Sequence, residues 1–280
     1  MLKKNKNTLI NQLLILILFL FLLFPINSYA IKQKKAFDRG LIVLAPASMT
    51  HALHEILQKF SRKMNISVSA SYDSTSELTQ IIEDGDAANI FISEDKVAIK
   101  DLQQKGLLNV FSIKEIATDE LVLVVPKNSF LLKKISKFEN NLDKINFIVK
   151  SSLIAISDPE LDAIGRLAKQ SFSNLNLWQE IEKKLIKTNN SRASLYLTTN
   201  ANTPSIVYLS EAKNNSEVRI ISKLPSSSYD KISYQIAIVA DISSATTMND
   251  SEDFIEFMSK PNVKKVLIKN GFQTTKQKKD

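Results

Sequence analysis

The chain has 280 residues, a formal net charge of +8 and no cysteine, which excludes disulfides, thiolate metal sites and lipid attachment at an N-terminal cysteine. Its lysines are scattered, with clusters such as Lys32, Lys34 and Lys35 or Lys276, Lys278 and Lys279 near the two ends. A nucleic-acid groove needs a concentrated basic stripe, so that partner is excluded as well.

The first thirty residues read as a secretory signal peptide. Lys3, Lys4 and Lys6 form a positive head, 13–24 is an unbroken apolar run, and Ser28 and Ala30 give a small-x-small exit. About twelve apolar residues are short for the roughly 20 that span a bilayer. Cleavage after Ala30 would leave a mature chain from Ile31 whose charge, without those three lysines, is +5. A free, soluble protein of a bacterial periplasm is the expectation, large enough for one big or two modest domains.

Strand candidates follow at 41–45, 67–72, 89–93, 121–125, 147–156 with a break, 205–209, 218–222 and 234–240. Helical stretches lie between most of them, the order of an α/β protein with largely parallel sheets. In the first helix Met49, Ala52, Leu53, Ile56, Leu57 and Phe60 share one face, and Ser48 stands where an N-cap belongs. His51 and His54, the only two histidines, then point with Glu55 to the polar side. A catalytic zinc needs three protein ligands in a shielded cavity, so the spacing favours a solvated helix face over a metal site.

The runs 120–126 and 234–240 look like strands crossing between two lobes. That divides the chain into a discontinuous first lobe, 31–121 with 238–280 and a C-terminal helix at 253–268, and a second lobe, 122–237. A cleft between them follows. Three loops after strand candidates are rich in hydroxyls or in exposed backbone donors and lead into helices: Ala45-Pro46-Ala47-Ser48, Tyr72-Asp73-Ser74-Thr75-Ser76-Glu77 and Ser157-Asp158-Pro159-Glu160. Helix starts at the ends of parallel strands bind anions, although Ser48 could simply cap its helix and Ser74 with Glu77 could form a capping box.

The order of these pieces resembles the periplasmic molybdate-binding proteins of bacterial ABC importers from about Leu41 to Phe272. The residues that carry the resemblance are Ala45-Pro46-Ala47-Ser48-Met49-Thr50 after the first strand and Tyr72-Asp73-Ser74-Thr75-Ser76-Glu77-Leu78 after the second. They continue with Ile82-Glu83-Asp84-Gly85-Asp86-Ala87-Ala88-Asn89-Ile90-Phe91, Asp158-Pro159-Glu160 with Gly165, Ile206-Val207-Tyr208 and the terminal Gly271-Phe272. What the resemblance implies is a bilobed type II periplasmic binding fold: two mixed sheets with flanking helices, a ligand cleft and no catalysis.

Carried over position by position, Ser48 and Thr75 would offer hydroxyl and backbone N–H, Ile164 and Ser191 backbone N–H, and Tyr208 its phenol, to molybdate or tungstate. No cofactor or resident metal is implied. The implied partner is a membrane permease, and the implied state a monomer. Asp73, Ile164, Ala163 and Ser205 depart from the family pattern, which keeps sulfate, phosphate or a small organic anion as the alternative ligand. A secreted zinc enzyme using His51 and His54 is the alternative of a different class.

Overall fold

The computed structural model describes residues 40–240 and 245–274. The signal peptide read at 1–30 lies outside the described residues, among which no helix is long and apolar enough to cross a membrane. The chain opens with β1 (Gly40–Pro46), a 3-10 turn (Ala47–Met49), α1 (Thr50–Met64), β2 (Ser67–Asp73), α2 (Thr75–Glu83), β3 (Ile90–Ser93), α3 (Lys96–Gln104) and β4 (Lys114–Asp119). It continues with β5 (Leu121–Pro126), α4 (Leu131–Ile135), α5 (Asn141–Ser151), β6 (Ile154–Ser157), α6 (Ala163–Asn174), α7 (Trp178–Glu182), β7 (Leu185–Thr188), α8 (Ser191–Ala201), β8 (Ser205–Tyr208), α9 (Leu209–Lys213) and β9 (Val218–Lys223). It closes with β10 (Ile232–Ile238), α10 (Ala245–Met258) and α11 (Pro261–Lys269).

The strands form two five-stranded mixed sheets, ordered β2-β1-β3-β10-β4 and β7-β6-β8-β5-β9. The two repeat one plan. In the first, β1 lies parallel between β2 and β3, and β10 runs antiparallel beside β3. In the second, β6 lies parallel between β7 and β8, and β5 runs antiparallel beside β8. The central strands β3, β6 and β8 are buried at every residue, as strands covered on both faces must be, whereas edge strand β2 alternates between exposed and half-buried.

Local chemistry explains most element ends. Helix α1 buries Ala52, Leu53, Ile56, Leu57 and Phe60, carries Arg62 and Lys63 in its last turn, and stops where Asn65 takes the left-handed conformation at φ 54°. Asn140 starts α5 by accepting the N–H of Asp143 at 2.8 Å. Residues 147–151, expected as strand, belong to α5. Ile145, Ile148 and Val149 are buried at helical spacing, and the strand begins only at Ile154. Pro261, at the first turn of α11, splits the expected C-terminal helix into α10 and α11.

The chain passes between the sheets at Glu120 and between Lys223 and Ile232. Strand β10 therefore already pairs in the first sheet, with β3 and β4, before the return expected at 238. The C-terminal helices also return to the first sheet: α10 packs on β1 and β10, and Phe254 meets the Phe60 ring of α1 edge-on at 5.0 Å.

Gly165 lets α6 begin hard against the end of β6, because a Cβ there would lie 2.3 Å from the Ser157 carbonyl oxygen and 2.7 Å from the Asp158 carbonyl carbon. Gly165→Ala should cost about 1–3 kcal/mol, the usual range for overpacking. The measurement is the urea midpoint, and an unchanged midpoint would mean that α6 does not rest on that backbone.

Candidate functional site

Because β2, β1 and β3 of the first sheet run parallel, as do β7, β6 and β8 of the second, their carboxyl ends and the helix starts that follow lie on one edge of each sheet. On the first sheet that edge carries Ser48, Thr75 at the start of α2, and Glu94 after β3. On the second it carries Asp162 and Ile164 at the start of α6, Ser191 at the start of α8, and Tyr208 at the end of β8. All seven are buried, from 0% exposed at Ile164 to 6% at Ser48.

Direct contacts join the two edges. The Tyr208 phenol donates to Glu94 Oε1 at 3.0 Å. Arg192 Nη2 donates to the Ala47 carbonyl at 3.1 Å and also reaches the Thr50 hydroxyl. Arg166 pairs with Asp95, and the backbone N–H of Thr75 acts on the Asp162 carboxyl. The Tyr208 and Tyr234 rings meet edge-on at 6.2 Å.

Four of the five expected ligand residues present groups to this buried place, but some do so differently from the expectation. Ser48 does not cap α1; it sits inside the 3-10 turn and shares a 2.9 Å hydrogen bond with Tyr234. Ser74 caps α2 by accepting the Glu77 N–H at 3.4 Å, while its own N–H goes to Asp73 Oδ1 rather than back to Glu77. The Thr75 hydroxyl is buried with no protein partner, and the Ser191 hydroxyl acts on the Glu211 carboxyl. The fifth, Ile164, turns its side chain into the hydrophobic core, so only its backbone faces the site edge. Asp73 is exposed, which removes the repulsion that an inward carboxylate would bring.

His51 and His54 are exposed, the latter hydrogen-bonded to Gln58 at 2.9 Å, and Glu55 pairs with Lys59 and Lys269. Among the described residues no group of three or more His, Cys, Asp or Glu side chains could hold a metal ion. The two histidines of the zinc alternative thus stand on a solvated helix face.

Sequence reasoning missed the buried acids. Burial, with repulsion from Asp162, pushes the Glu94 carboxyl up to about 8. Burial likewise lifts Asp162 to about 6, against the stabilising hydrogen bond of Ser157. Burial, with repulsion from Asp119, raises Glu211 to about 7 against the hydrogen bond of Ser191. Asp119, at the crossing between sheets, also rises to about 7, although its Oδ1 accepts the N–H groups of Glu120 at 2.8 Å and Ser210 at 3.3 Å. A signal existed: Glu94 and Glu211 each stand within three residues of the end of an apolar strand, on the edge where a site was sought.

Comparisons with known proteins agree with this architecture. The family described as bacterial extracellular solute-binding protein matches residues 41–273. The molybdate-binding protein ModA of Haemophilus influenzae is 31% identical over 236 residues, covering 82% of this chain and 88% of the relative. ModA of Escherichia coli is 28% identical over 249 residues, covering 88% and 93%. The solved periplasmic molybdate-binding protein of Azotobacter vinelandii superposes with a TM-score of 0.73 at 20% identity, over 84% of this chain and all of that one, a likeness of fold.

The raised carboxyls make a prediction for stability. Unfolded carboxyls titrate near 4, so between that pH and about 8 the folded chain holds more protons than the unfolded one, and stability falls as pH rises. The urea midpoint should drop from about pH 5 to about pH 8, and the double variant Asp119→Asn/Glu211→Gln should drop less. A midpoint constant across that range in the unaltered protein would contradict the buried, protonated carboxyls.

Proposed function

Because the chain belongs to the bacterial extracellular solute-binding protein family, we propose that it is the periplasmic capture protein of an ABC importer for molybdate, with tungstate as the second ligand. It is a binder without catalysis, exported by a cleaved signal peptide at 1–30, monomeric, and served by a membrane permease. The curated relatives named for molybdate support the ligand.

The observation that carries the reading is the meeting of helix starts from two sheets in one buried place, where Tyr208 touches Glu94 and Arg192 touches the turn holding Ser48. The oxyanion would accept from the hydroxyls and N–H groups of Ser48 and Thr75, the N–H groups of Ile164 and Ser191, and the phenol of Tyr208. Each hydrogen bond to a charged acceptor contributes about 1.5–3 kcal/mol, so a handful on helix N-termini holds a dianion without a basic partner. Cavity size and donor count would then set selectivity. The first sheet with the helices that return to it forms one lobe and the second sheet the other, with the ligand joining them on closure.

Calorimetric titration with molybdate, tungstate and sulfate tests this reading. Molybdate and tungstate should bind and sulfate should bind more weakly; no heat with any of the three would sink it. Thr75→Val and Tyr208→Phe should each weaken molybdate by about 1–3 kcal/mol. Alanine at both His51 and His54 should leave affinity unchanged.

A further inference from the structure

A phenol carries one hydrogen, and in this structure the hydrogen of Tyr208 is given to Glu94 Oε1. A Tyr208 that donates to Glu94 has nothing to donate to an oxyanion. An ionised Glu94 is also a buried negative charge beside the place where a dianion would sit. Its second oxygen, Oε2, is fully enclosed and has no protein partner. Every other charged or titratable group facing this carboxyl makes the same demand or leaves it unmet. Asp162 from the start of α6 and neighbouring Asp95 repel it, and Tyr234 from β10 is itself held neutral. Arg166 is committed to Asp95. Lys96, Asp230 and Lys231 line the cavity of about 260 Å³ on its outer side, and Lys231 is paired with Glu115.

One change of hydrogen-bond direction resolves both conflicts. Resting on the oxyanion reading above, we propose that Glu94 is a proton-carrying positioning residue: with its proton in place it donates to the Tyr208 oxygen, which turns the Tyr208 hydrogen toward the oxyanion and couples capture to one proton. No heavy atom need move far, since the 3.0 Å contact serves in either direction. The proton stays on the carboxyl and no bond other than hydrogen bonds forms or breaks. Tyr208 donates to an oxygen of the anion and does not ligate its central atom.

The sign of the pH effect follows. Free Glu94 titrates at about 8, above its ordinary range because of burial. A bound anion stabilises the protonated form and raises it further. The contribution of Glu94 to affinity is therefore constant below about pH 8 and falls above it, by up to tenfold per pH unit for a single linked proton. Burial also raises the carboxyls of Asp162 and Glu211, so the Glu94→Gln variant is what assigns the alkaline slope to Glu94.

The experiment is calorimetry of the protein with sodium molybdate at pH values from about 6 to about 9.5, each in two buffers of different ionisation enthalpy. The unaltered protein should lose affinity above about pH 8 with uptake of up to one proton, and Glu94→Gln, whose amide donates to Tyr208 at every pH, should bind within about threefold of the low-pH affinity with no slope and no uptake. A flat profile in the unaltered protein, or a slope that survives in Glu94→Gln, overturns the proposal while leaving the oxyanion reading intact. No heat at any pH overturns both. Should Glu94→Gln fail to fold, the proton count of the unaltered protein decides alone: uptake above about pH 8 supports the proposal and none overturns it.

Discussion

Parallel strands impose a geometric constraint that runs through the molecule: each must end, and the helix after it begin, on the same edge of its sheet. Here the constraint acts twice, around β1 and around β6, because each sheet places one of these strands between two parallel neighbours. Unpaired N–H groups and the positive ends of helix dipoles therefore gather on two edges, and the contacts of Tyr208, Arg192 and Arg166 hold those edges together. Gly165 belongs to the same arrangement, since only a residue without Cβ lets the start of α6 lie against the end of β6.

Donors alone would make a simple anion trap, but this edge also holds acids. The Tyr208 phenol meets Glu94, the Thr75 N–H meets Asp162, and the Ser191 hydroxyl meets Glu211. A buried carboxyl escapes the cost of its charge by keeping its proton, and then becomes a donor as well as an acceptor. The charge state of the site is thus set by burial rather than by a count of acidic and basic residues. Near neutral pH a protonated Glu94 leaves fewer full charges in the cleft than its composition suggests.

The α/β alternation, the first helix and the inner strands were legible because their apolar residues recur at 3.6 or run without a break. Two edge strands were not: β4 and β7 are partly exposed, and their sequences, Lys-Glu-Ile-Ala-Thr-Asp and Leu-Ile-Lys-Thr, mix charge with β-branched residues. The residues at 147–151 resembled the start of a strand because a short run does not reveal its period; packing and the Asn140 cap made them helix. Ser48 looked like a cap because its position in the chain suits one, yet its partner, Tyr234, lies 186 residues away.

By itself the sequence determined which residue types stand after which strands, and so which hydroxyls, acids and glycines arrive at the edges of the two sheets. Local preferences suffice for that, because period, caps and breakers act over a few residues. Only the tertiary structure decided that Glu94 faces Tyr208, that Asp73 turns to water and that Ile164 enters the core. Those outcomes depend on burial and on partners more than a hundred residues apart, and the pKa of a carboxyl, the direction of a phenol's one hydrogen and the depth of a side chain are properties of such surroundings rather than of the residue alone.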